Sequence, residues 1–192
     1  MKFEEIIKKR KSVRKFKSKT PSWKDILYAI DLANQGPFAG NQNHLHYIIV
    51  EDHNTIKALA QLCEQHWVAD AKIIIVACSD DTHLENLYGE RGRIYSRQQA
   101  GAAIHTLTLA LTERRIDSCW VGSYSDELVR EKLKIPQHIQ VEAIIPIGFE
   151  AGKSKKPAKK SLERCLSWET WTQTRRPTMF EEGHEDYPPF RG

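Results

Sequence analysis

Apolar residues along this chain follow two rhythms, and the helical one comes first. Ile6 and Ile7, with Phe3 three to four positions before them, predict a short amphipathic helix over about 3–10. Its last turn is filled with cations, which suit the negative end of the helix dipole. Thr20-Pro21-Ser22 then signals a start: Ser22 can cap, Asp25 follows three residues on, and Ile26, Leu27, Ile30 and Leu32 or Ala33 mark one face to about 35. Gly36-Pro37 breaks that helix, and Phe38 to Leu45 is polar and turn-like. His46 to Glu51 reads as a strand, Asp52 or Asn54 can cap a helix over 54–65, and Lys72 to Ser79 is a buried strand. Residues 80–93 read as a charged loop. Tyr95 to Arg115 carries the longest helical pattern, small and apolar nearly all round, which belongs in a core or an oligomer interface. Ser118 to Tyr124 reads as a strand, Asp126 to Leu133 as a short helix and Val141 to Phe149 as a second buried strand. Several strands lack a crossover helix between them, so an α+β class is expected over a doubly wound sheet.

Composition narrows the picture. Hydrophobic content of 40% and charged content of 28% exclude wholesale disorder in a chain of 192 residues. The longest unbroken apolar run, 73–78, is too short to cross a bilayer, which takes about 20 residues. The charged opening carries no apolar leader segment. There are four cysteines without a C-x-x-C spacing, and the two in apolar strand-like runs, Cys78 and Cys119, read as buried reduced thiols. The expectation is a cytoplasmic protein with no membrane partner.

The net charge of +4 is unevenly spread. Residues 8–19 hold eight cations and no acid, and 153–160 hold five lysines, while the rest of the chain is acidic. Two separate knots suit a small multiply charged anion better than a long polyanion. Arg10, Ser12 and Arg14 alternate, so in an extended segment two guanidinium forks and a hydroxyl point to one side. A solvated helix end and a nucleic-acid patch are the competing readings of this run. The second lacks interleaved aromatics beyond Phe16 and any RNA-binding signature. Gly148 to Ser154 imitates a phosphate loop, but three residues separate its glycines where four are needed, and no helix follows. G-x-G-x-x-G, H-x-x-x-H and G-x-S-x-G are absent, so a Rossmann domain, that zinc motif and that serine-hydrolase motif have no support.

Five segments in order resemble the FMN-dependent nitroreductase family. R-K-S-V-R-K-F at 10–16 is similar to the family's opening R-R-S-x-R-x-F. Gly36 to His44 follows the pattern A-P-S-x-x-N-x-Q-P, with Pro37 and Asn41 matching, Phe38 in place of serine and Asn43 in place of glutamine. Ser118-Cys-Trp-Val-Gly122, Ile144-Ile-Pro-Ile-Gly148-Phe and Lys159-Lys160-Ser161-Leu162-Glu163 complete the series over roughly residues 1–171.

The resemblance implies an α+β, three-layer fold, with a central mainly antiparallel sheet packed by helices, assembled as a homodimer with FMN at the subunit interface. It implies that Arg10, Ser12 and Arg14 hold the FMN phosphate and ribityl chain, with Lys11 contributing backbone and Lys159 or Lys160 closing on the phosphate. Asn41, with Asn43 on the same loop, would meet the flavin pyrimidine edge. Gly122, after Val121, would offer a backbone N–H near flavin N5, and Gly148 would line the site. The implied activity is a ping-pong reductase: NADH or NADPH delivers hydride to FMN and leaves, and a nitroaromatic, quinone or similar small acceptor follows. No side-chain nucleophile or acid–base pair is required, because the cofactor carries the chemistry. Alternatives are a flavoprotein of the same fold with a different outcome, reductive dehalogenation or flavin modification, and a nucleic-acid-binding module using 8–19. Domain boundaries are expected at 1–165 for the FMN-binding domain and 166–192 for a C-terminal extension on the partner subunit, burying Trp168 and Trp171.

Overall fold

A computed structural model describes residues 1–154 and 156–176. β1 (Leu45–Val50), β2 (Ile73–Asp80), β3 (Asp117–Ser118) and β4 (Ile139–Gly148) form one antiparallel sheet in the order β1-β2-β4-β3. The helices are α1 (Phe3–Lys9), α2 (Trp23–Ala33), α3 (His53–Leu62), α4 (Thr82–Tyr88), α5 (Glu90–Glu113) and α6 (Asp126–Leu133). The chain divides into two compact units, Met1–Lys155 and Lys156–Gly192. In the second unit, the described part carries a single 3-10 turn over Leu162–Arg164, and Lys159 and Lys160 are exposed. The burial expected for Trp168 and Trp171 is not reached within the single chain, where Trp168 is half-buried and Trp171 is 91% exposed. Tyr187 and Phe190, with the end of the expected extension, lie outside the described residues.

Strand β2 explains the layering. Successive side chains alternate between faces, and both faces of β2 are buried. Ile73, Ile75 and Ala77 join Ala143, Ile145 and Ile147 of β4 beneath α2 and α5, through Ile26, Ala29, Ile104, Leu107 and Leu111. Ile74, Val76 and Cys78 join Val141 and Ile144 beneath α3 and α6, through Ile56, Leu59 and Val129. Each fully buried isoleucine contributes roughly 1.5–3 kcal/mol. A sheet apolar on both faces must therefore carry helices on both, and the three-layer α+β arrangement follows. The small residues that made α5 read as a central helix are buried at Ala100, Ala103 and Ala110, the last of them within this core.

Three local expectations differ from the structure. Residues 82–88 and 90–93 are helical rather than loop, because Leu84, Leu87 and Tyr88 keep helical spacing among the charges. Gly89, at φ +57°, divides this stretch into α4 and α5. Gly92 lets the two helices meet, since a Cβ there would lie 2.2 Å from the Leu84 carbonyl oxygen. The strand expected over 118–124 is regular only at Asp117–Ser118. Val121 adds one bridge to Ile144, and Trp120 remains half-exposed. Ser22 occupies the N-cap of α2 without a side-chain capping bond, whereas Asp52 Oδ2 caps α3 by accepting the Thr55 N–H at 2.7 Å.

Candidate functional site

The segment after α1 is laid against the sheet edge by backbone bonds. Val13 N–H donates to the Ser118 carbonyl at 3.0 Å, Lys17 N–H to Phe149 at 2.8 Å, and Ala151 N–H to Lys15 at 2.9 Å. Val13 and Phe16 turn inward as anchors. In extended backbone Arg10, Ser12 and Arg14 alternate with Lys11 and Val13, and all three act on Cys119. Burial pushes that thiol up, while Arg14, the Ser12 hydroxyl and Arg10 pull it back. Burial also lowers the pKa of His105 of α5, and the Arg10 charge lowers it further. Arg14 stacks over Trp67 at 5.8 Å. Among the described residues neither Arg10 nor Arg14 pairs with a carboxylate. Two guanidinium groups without an acid partner and a nearby hydroxyl are donors of the kind an oxyanion can accept from.

Lys11 faces the other way. Its ammonium donates to Glu150 Oε2 at 2.7 Å and to the Ser154 carbonyl at 3.3 Å, so its charge is already used within the protein. Beside it, a cavity of about 350 Å³ opens between Ser12–Lys15 and Glu150–Ser154. Gly148 has a packing role: a Cβ there would sit 2.8 Å from Phe16 Cδ1. Val121 is buried and exchanges both backbone bonds with Ile144, at 2.9 and 3.0 Å. The exposed Gly122 follows that last bridge, and its N–H has no hydrogen-bond partner among the described residues.

The loop before β1 supplies the polar end. Asn41 stands at φ +55° in a 3-10 turn, exposed, with no partner for its carboxamide among the described residues. Asn43 is instead spent on the loop itself: its Nδ2 donates to Asn34 Oδ1 at 3.2 Å and its Oδ1 accepts the Leu45 N–H at 3.1 Å. A cavity of about 250 Å³ lies between Pro37 and Ala39 of this loop and Tyr95, Gln98, Gln99 and Ala102 of α5. Gln98, Ala102 and His105 form one stripe of α5, at i, i+4 and i+7. The stripe covers about 10 Å of helix axis at 1.5 Å per residue. It runs from the cavity beside Pro37 and Ala39 to His105, which feels the Arg10 charge.

Sequence reasoning missed the polar network behind this loop, formed by His44, Ser79, Asp81, Ser96, Arg97, Gln99 and Glu142. One signal was visible: Glu142 is a lone carboxylate inside an apolar strand. A bulge opposite Cys78 turns it out of the regular register, where it pairs with Arg97 of α5.

The model of the nitroreductase family matches residues 7–69 and 53–149 of the chain. An iodotyrosine deiodinase of Thermotoga neapolitana is 25% identical over 177 residues, 83% of this chain and 95% of that protein. A putative NADH dehydrogenase/NAD(P)H nitroreductase of Methanothermobacter thermautotrophicus is 27% identical over 152 residues, 77% of this chain and 76% of its own length. Among solved structures, oxidized iodotyrosine deiodinase bound to FMN and 3-iodo-L-tyrosine superposes with a TM-score of 0.73 at 22% identity, covering 83% of this chain and 96% of that one.

Proposed function

The chain belongs to the nitroreductase family, and from that premise we propose that it binds FMN non-covalently and works as an NAD(P)H-dependent oxidoreductase on nitroaromatic, quinone or similar acceptors. The observation that carries this reading is that Arg10, Ser12 and Arg14 all act on Cys119 while neither arginine has a carboxylate partner among the described residues. An FMN phosphate brings the negative charge that this cluster lacks. FMN, when bound, supplies the hydride and electron transfer.

The protein's own groups bind and orient. Arg10 and Arg14 donate forked hydrogen bonds to phosphate oxygens, and the Ser12 hydroxyl adds a third donor. Lys159 and Lys160 add positive charge as a further part of the proposal. Asn41 has both a donor and an acceptor to offer a pyrimidine edge. The Gly122 N–H is a fixed donor at a backbone position with no side chain to obstruct approach. Donors held in place before reaction stabilise developing negative charge without reorganising.

We place two copies of the chain in the working enzyme. The exposed Trp171, at 91%, and Phe3, at 72%, are surfaces a partner subunit would cover. Truncation from Leu166 onward is expected to lower dimer content and flavin retention together. A truncated protein that stays dimeric and yellow overturns the role given to the extension.

The absorbance spectrum tests the central reading. Purified protein incubated with FMN and desalted is expected to keep flavin bands, which bleach anaerobically with NADH or NADPH. A colourless protein overturns the reading. Retained flavin that neither donor bleaches favours reductive dehalogenation, the second reading, which the iodotyrosine deiodinase relative supports. A salt-dependent shift of DNA or RNA without flavin uptake would favour a nucleic-acid module instead.

A further inference from the structure

A buried polar chain runs from the end of β2 to the loop that presents Asn41, and its direction can be read from one end. The Ala39 N–H can only donate, and it points at Gln99 Oε1 at 2.8 Å. The other carboxamide atom is therefore the nitrogen, which donates to His44 Nδ1 at 2.6 Å and lies 3.4 Å from the Gln42 carbonyl. An amide nitrogen cannot accept, and the Gln42 carbonyl, which the ring also meets, takes the other Gln99 amide N–H, so Nδ1 carries the lone pair and a neutral imidazole holds its proton on Nε2. Nε2 lies 2.8 Å from Ser96 Oγ, and the Ser96 hydroxyl donates to Asp81 Oδ1 at 2.5 Å. Arg97 of α5 holds Asp81 and pairs with Glu142 as well. From a backbone amide to a carboxylate, each donor has its acceptor. Ser96, Gln99 and Asp81 are all buried, so water is a poor substitute for any member.

Gln99 thus holds the loop at Ala39, Gln42 and His44, on both sides of Asn41. Asn41 has no side-chain partner of its own among the described residues, so the loop's conformation sets where its carboxamide points. We propose that Gln99 and His44 are positioning residues for Asn41: the neutral Nε2–H form of His44, read by the Gln99 carboxamide, fixes the loop that offers Asn41 to the flavin. This rests on the flavin reading above and adds to it a determinant one layer behind the site. His44 stands where the family pattern has proline, so the device belongs to this chain's own sequence.

Two measurements test it. Long-range ¹H–¹⁵N spectra of the labelled, flavin-free protein at pH 7 are expected to show His44 as a single neutral Nε2–H form. In Gln99→Glu, which keeps the shape but offers an acceptor to Nδ1, that signature is expected to change to a ring protonated at Nδ1. A wild-type ring in the Nδ1–H form, or a mixture, overturns the proposal. In the second measurement, Gln99→Leu is expected to weaken FMN binding roughly tenfold, and Asn41→Ala in that background to add little. Additive losses overturn the positioning role while leaving the flavin reading intact. If wild-type protein takes up no FMN, the flavin reading fails by itself. The Asn41 side-chain amide signals then decide the loop clamp: they are expected to broaden in Gln99→Leu, and unchanged signals overturn it. Should Gln99→Leu not fold, the His44 tautomer in wild type and in Gln99→Glu still decides the proposal.

Discussion

Lys11 Nζ lies 2.7 Å from Glu150 Oε2, joining the segment after α1 to the turn after β4. The two side chains are mostly covered, at 23% and 18% exposure, and Ser154 completes the group through its N–H at 2.6 Å and its hydroxyl. The Lys11 hydrogen bond, helped by Ser154, holds the Glu150 pKa down to about 2 from 4.5. A carboxyl depressed on folding stabilises the protein fully above its unfolded value and loses that stability as pH falls through the folded one. Glu150→Gln is therefore expected to cost about 1–3 kcal/mol near neutrality. It is also expected to flatten the acid loss between pH 4.5 and 2. Urea unfolding across that range checks both; an unchanged acid slope would count against the latch.

Gly148→Ala is expected to destabilise by about 1–3 kcal/mol, as overpacking does. The new Cβ would meet Phe16 Cδ1 at 2.8 Å. In a Phe16→Leu background the same change should cost much less, which a double-mutant cycle by thermal unfolding will show. Equal costs in both backgrounds would mean that Gly148 is needed for something other than the ring above it.

The parts legible in the sequence are those where one local pattern has one physical solution. The apolar run at 73–78 had to be a strand buried on both faces, and the segment carrying Arg10, Ser12 and Arg14 bridges to Ser118 through Ser12. α4 was hidden because its apolar positions are few and Gly89 interrupts the pattern. The strand after Ser118 was overextended because apolar Trp120 and Val121 look alike in sequence, though only Val121 finds a partner on β4. Asn43 shows another limit. Its residue type fits a cofactor edge, but its amide is consumed by Asn34 and Leu45, and only coordinates reveal that. His44 and Gln99 lie 55 residues apart, and no spacing rule joins them.

The two arginines of the cluster should respond differently to loss of charge and loss of shape. Arg14→Ala is expected to weaken FMN binding roughly 10–100-fold, the scale of a lost charge-assisted hydrogen bond. Arg14→Lys, which keeps charge but not the fork, should fall between. Lys11→Ala is expected to lower stability through Glu150 with a smaller effect on flavin affinity. Fluorescence titration with FMN, beside melting curves for each variant, separates these outcomes. A Lys11 variant that loses affinity as severely as Arg14→Ala would move Lys11 from the scaffold into the cofactor site.

His44 gives the fold a second, separate pH window. Burial lowers its pKa from 6.5, and Arg97 of α5 lowers it further. Asp81, at the end of β2, pulls in the opposite direction, and neighbouring Asp80 also faces the ring. Burial wins, so the folded protein binds this proton less readily than the unfolded chain. Stability is then complete above about pH 6.5 and declines as pH falls through the lowered folded value. Protonation would also put a second donor at Nδ1 against the Gln99 amino group, which can only donate. The loop carrying Asn41 is expected to loosen in the same window. His44→Gln, which has no proton to gain, should decline less steeply between pH 7 and 5 than wild type, with His105 of α5 supplying the loss that remains. Glu150→Gln should leave this decline untouched, because its own window lies lower. If wild-type protein is equally stable at pH 7 and 5, His44 is not the buried neutral ring that its partners require.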